Sequence, residues 1–95
     1  MPKGYVIARA VVTNASQWAQ YAAEATKVIQ QHGGRPLVRG GAMTVAEGSG
    51  CARNVLIEFD SFEAAKAYAF SAEYAAARKL REGAGHIDII CVEGV

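Results

Sequence analysis

The sequence predicts an α+β fold in the order strand, helix, strand, strand, helix, strand, and three observations carry that prediction. Period-two alternation runs through residues 4–13, 53–60 and 86–93. A long three-and-four-residue apolar repeat separates the first two of these, and a shorter one, capped twice, separates the last two. Gly33-Gly34 and Gly83-Ala84-Gly85 stop the two helical stretches.

Length and charge narrow the partners. At 95 residues the chain makes one domain, 1–95, small enough that association covering more apolar surface is physically favourable. Hydrophobic residues at 52% and charged residues at 20% place it among globular rather than disordered chains. Ten Lys and Arg against nine Asp and Glu leave a net charge of +1. That balance supplies no field for a phosphate backbone or an anionic membrane, so neither nucleic acid nor membrane is an expected partner. No run approaches the roughly 20 apolar residues that cross a bilayer, and no cleavage pattern follows residues 1–12; a cytoplasmic protein is expected. Cys51 and Cys91 lack Cys-x-x-Cys spacing, so neither a metal site nor a redox pair is expected.

Taken in order, Gly4 to Thr13 alternates Tyr5, Ile7, Arg9 and Val11 against Val6, Ala8, Ala10 and Val12. Both faces are largely apolar, which belongs to a strand covered on two sides. Asn14 or Ser16 caps a helix whose inward stripe is Trp18, Tyr21, Ala22, Ala25, Val28, Ile29 and His32. Arg35 to Gly40 reads as a second strand with Pro36 near its start. Met43 to Ala46 reads as a short strand and residues 47–52 as a loop. Arg53 to Asp60 sets Val55, Ile57 and Phe59 against Asn54, Leu56 and Glu58. Ser61 caps the next helix, with Phe62, Ala65 and Ala69 inward, and Ser71 followed by Glu73 caps a restart that carries Tyr74, Ala77 and Arg81 on one stripe. His86 to Glu93 closes the chain. This is the split β-α-β layout of a ferredoxin-like four-stranded antiparallel sheet with both helices on one face. A second copy would cover the other face, giving a homodimeric α/β barrel.

Four charges fall mid-strand: Arg9, Arg39, Glu58 and Asp88. With matching registers they share the face opposite the helices. There they form a neutralising network that stitches a dimer, simple solvent-edge charges, or the lining of a wet pocket, because buried charges are costly unless paired. His32 ends the first helix on its apolar stripe. Such a residue is more often a hydrogen-bonded core group than a catalyst, though its ordinary pKa near 6.5 suits proton transfer. Trp18, Tyr21, Tyr68 and Tyr74 fit a core stripe or a pocket wall, and a buried Tyr74 hydroxyl would need a partner. The glycines at 40–41 and 48–50 do not join a strand to a helix start, which removes a phosphate-cradle reading.

The run from His32 to Gly41, the Glu47-Gly48 pair, Val55 to Phe59 with Ser61 to Tyr68, then Ser71 to Tyr74, Arg81 and Val92-Glu93-Gly94 resemble the bacterial family described as domain of unknown function 1330. The resemblance spans nearly the whole chain. It implies membership of the dimeric α/β-barrel group, which includes antibiotic-biosynthesis monooxygenases and muconolactone isomerase-like proteins, and hence a homodimer. By the same resemblance the pocket candidates are His32 and Glu47 as proton movers and Arg39, Arg53, Tyr74 and Arg81 as substrate-binding groups. Relatives tend to carry a Trp and a Pro after the Glu-Gly pair, where this chain has Ser49 to Ala52.

Two functions compete at this point. One is a cofactor-independent oxygenase or isomerase acting on a small carbonyl or carboxylate compound, with Arg39 or Arg53 stabilising an enolate-like anion. The other is a non-catalytic small-molecule-binding or structural dimer. Haem ranks last, since neither His32 nor His86 has a recognisable ligand context.

Overall fold

The computed structural model describes residues 2–95. Strands β1 (Gly4–Val12), β2 (Arg35–Arg39), β3 (Arg53–Phe59) and β4 (Gly85–Glu93) form one antiparallel sheet in the order β2-β3-β1-β4. Helices α1 (Ala15–Gln31), α2 (Phe62–Ala69) and α3 (Ala72–Lys79) complete the predicted ferredoxin-like order, the second helical stretch being split in two. Among the described residues no helix is long and apolar enough to cross a membrane.

The caps act as their side chains allow. The Asn14 side chain accepts from the Gln17 N–H, Ser61 Oγ from Ala64 and Ser71 Oγ from Tyr74, each filling a donor the helix itself cannot satisfy. Ser71 Oγ also donates to the Tyr68 carbonyl, so one hydroxyl ends α2 and begins α3.

Register makes the two sheet faces unlike. Val6 opposes Ile57 and Cys91, and Ala8 opposes Val55 and Ile89, all toward the helices. Phe59, Val6 and Ile57 are buried there under Ala25, Ile29, Ala65 and Tyr68. The opposite face carries Tyr5, Ile7, Arg9, Leu56, Glu58, Asp88 and Ile90, and no helix covers it.

Three expectations are corrected. Met43 to Ala46 is not a strand: β2 ends at Arg39, and the segment beyond it pairs with no strand of the sheet. The fully inward positions of α2 are Ala65 and Tyr68, whereas Ala69 and Phe62 are half-buried, Phe62 lying under the Lys66 ammonium at its first helical position. Arg39 does not join the other mid-strand charges. The β2 register shifts by one residue between Pro36 and Val38, so Arg39 opposes Val55 and turns to the helix side.

Candidate functional site

A cavity of about 70 Å³ lies between α1 and the sheet. Ala8 and Ala10 on the central strand create it, because a methyl group leaves room beneath α1 that the flanking Val55 and Ile89 do not fill. Trp18, Tyr21 and Tyr68 form aromatic walls, and the two cations in the lining are Arg39 and Arg53. Those two arginines stand on neighbouring strands of the same face, Arg53 opposite Ala10 and Arg39 opposite Val55. Among the described residues neither makes an ion pair. Gly40 has φ 65°, and a Cβ there would meet Arg53 Nη1 at 2.8 Å, so glycine both permits the turn and leaves the guanidinium its place.

Behind the cavity the aromatic rings are contiguous. Tyr21 packs edge-on to Trp18 at 5.3 Å and to Tyr74 at 6.2 Å, and Tyr68 contacts both Tyr74 and Phe59. The Tyr21 and Tyr74 hydroxyls share one hydrogen bond of 2.8 Å. Arg81 holds its guanidinium over Tyr21 and Trp18, at 5.2 and 5.8 Å. Burial drives the Tyr21 pKa well upward, aided by Tyr74, and burial likewise raises that of Tyr68. Both phenols are therefore neutral at physiological pH and are not bases.

The remaining site candidates lie elsewhere. His32 caps α1; its Nδ1 donates to the Val28 carbonyl at 3.0 Å and its ring meets Tyr68 edge-on, which fixes the tautomer. Glu47 is exposed in the 40–52 loop. Neither lines the cavity. Tyr74 and Arg81 stand behind Tyr21 as supports. The sequence leaves Trp18, Tyr21 and Tyr68 open between core stripe and pocket wall, and the placement of the β1 alanines opposite them makes them walls. No group of three His, Cys, Asp or Glu side chains gathers among the described residues.

On the uncovered face the charges are taken up separately. Glu58 receives Arg35 and the Tyr5 hydroxyl, Asp88 lies 3.3 Å from His86, and Arg9 reaches the Ser49 carbonyl. The Arg35 hydrogen bond, then that of Tyr5, holds the Glu58 carboxyl below its ordinary range. A carboxylate that titrates lower folded than unfolded stabilises fully above its ordinary pKa of about 4.3 and loses that effect as pH falls through its folded value. The urea midpoint is expected to drop between about pH 7 and about pH 3, and to drop less in Glu58→Gln. Equal drops in the two proteins would assign the acid sensitivity to other groups.

A family model described as domain of unknown function, DUF1330, matches residues 3–95. The chain belongs to this family. No curated protein matches the DUF1330 chain. Among solved structures it is similar to a protein of unknown function from Rhodopseudomonas palustris, with TM-score 0.77 and 16% identity over 99% of this chain and 83% of that one. A dimeric ferredoxin-like protein of unknown function from Thermobifida fusca gives 0.61 and 15%, covering 99% and 92%. A Caulobacter crescentus protein provisionally named an antibiotic biosynthesis monooxygenase gives 0.60 and 17%, covering 99% and 91%. At these identities the likeness is one of fold.

Proposed function

We propose that this DUF1330 chain is a homodimer that binds a small carboxylate or carbonyl compound in the cavity between α1 and the sheet. Two guanidinium groups that make no ion pair among the described residues, Arg39 and Arg53, at an otherwise largely apolar and aromatic cavity carry this reading. The apolar body of such a ligand would rest on the alanine floor between Trp18, Tyr21 and Tyr68, with its oxygen atoms against the arginines. At about 70 Å³ the cavity favours a compound of few heavy atoms. The homodimer is supported by the helix-free sheet face, where Val11, Val38 and Ile90 are 47%, 43% and 53% exposed, and by similar folds described as dimeric. Free thiols at Cys51 and Cys91 fit a reducing compartment such as the cytoplasm.

Loss of one charge-assisted hydrogen bond costs about 1.5–3 kcal/mol, so Arg39→Met and Arg53→Met are each expected to weaken binding roughly ten- to hundredfold. Calorimetric titration with a panel of two- to five-carbon carboxylates and keto acids tests this. Affinities unchanged in both variants would remove the cavity from consideration.

A catalytic reading is favoured by the similar folds provisionally named monooxygenases. The arginines would then stabilise an enolate-like anion of the bound compound. Proton movement by His32 or Glu47 would need either residue to reach a cavity that neither lines. Turnover of a bound compound by wild-type protein, absent in Arg53→Met, would decide for catalysis.

A further inference from the structure

Tyr68, Ile87 and Ile89 are shared between the cavity above and a second, larger one of about 570 Å³. This second concavity runs along β4, the sheet edge, beside α2 and α3. Its apolar surface includes Phe70, 84% exposed, and Ile90. Its charges are all positive: Lys66, Arg78 and Arg81, with no carboxylate in the lining. Lys66 is engaged by Glu63 at 3.1 Å, but among the described residues Arg78 and Arg81 make no ion pair. Arg81 also keeps its Nε–H buried without an acceptor. In a chain of net charge +1, this cluster is a local feature rather than part of a general positive surface.

We propose that this groove is a second binding site, which takes an amphipathic anion: a carboxylate held by Arg78 and Arg81, with an apolar chain lying along Phe70 and Ile87. Sign and shape select that class. An anion answers three cations with no acidic neighbour, and an arginine fork suits a carboxylate in particular. Phe70 and Ile87 gain only from a ligand that also has an apolar body, which an inorganic anion lacks. The volume lies within the roughly 300–1,000 Å³ of small-molecule pockets, several times the size of the first cavity. A second protein copy would have to leave both arginines unpaired or bring its own acid to them. The inference does not rest on the ligand of the first cavity.

Decanoate, titrated calorimetrically into the full chain below its micelle concentration, tests it. Saturable binding is expected. Arg78→Glu and Phe70→Ala, both at exposed positions, should weaken it roughly tenfold or more, while Arg39→Met leaves it within about twofold. Loss in Arg39→Met with none in Arg78→Glu would overturn the proposal by placing the anion in the first cavity, and would support the first reading. No binding would also overturn it, as would a Phe70→Asp variant that becomes monomeric, which would assign the groove to a protein interface.

Discussion

Phe59→Ala should lower the free energy of unfolding by about 3–5 kcal/mol. The ring has no exposed surface, stacks on Tyr68 at 5.4 Å, and sits so close to Gly34 that a Cβ there would meet it at 2.8 Å. Walls made of strand, helix and glycine backbone have little freedom to collapse inward, so the cavity term stays large. Domains of this kind are stable by about 5–15 kcal/mol in total, and the variant therefore approaches the threshold of folding. Urea denaturation of the two proteins gives the difference. A loss below about 1.5 kcal/mol would mean that the helices close over the gap, contrary to this account of a rigid core.

The second large effect concerns the tyrosine pair. Tyr74→Phe removes one hydroxyl and leaves Tyr21, itself buried, without the partner it has at 2.8 Å. An orphaned buried polar group costs about 1–3 kcal/mol, whereas removing both can be nearly neutral. Tyr74→Phe is thus expected to be less stable than the double variant Tyr21→Phe/Tyr74→Phe. Simple addition of the two single losses would show the hydroxyls to be independent. The pair also predicts alkaline behaviour. Because the Tyr21 pKa is raised in the folded state, the unfolded chain gives up its proton first, and stability declines as pH rises past about 10. Tyr21→Phe should blunt that decline.

Most of the architecture was legible because its causes are local. Alternation in β1 and β4 tracks burial nearly residue by residue and in β3 only from Ile57 to Phe59, and Asn14, Ser61 and Ser71 cap the helices at the positions their chemistry suggests. What could not be read depends on residues far apart in the chain. Met43 to Ala46 has strand composition, but strand formation needs a pairing partner, and the segment joins no ladder. Ala8 and Ala10 look like ordinary small strand residues until α1 is laid across them. Arg39 and Arg53 were candidates by resemblance, and their common placement follows only from pairing β2 with β3. His32 was read correctly as the end of a helix, but its ring nitrogen is committed to Val28 within the same turn.

The irregularity at Leu37 bears on how such chains diverge. Strand alternation ordinarily ties each side chain to one compartment, so moving a charge between compartments demands two substitutions, one to remove it and one to install it. A single extra residue does the same work by parity: everything after it changes sides while its identity is preserved. In this hairpin Arg35 faces outward with Glu58, and Arg39, four positions on, faces inward. A change in strand length, rather than in amino-acid type, thus separates a surface ion pair from a cavity cation. Related chains aligned without gaps at that point would credit the arginine to the wrong side of the sheet.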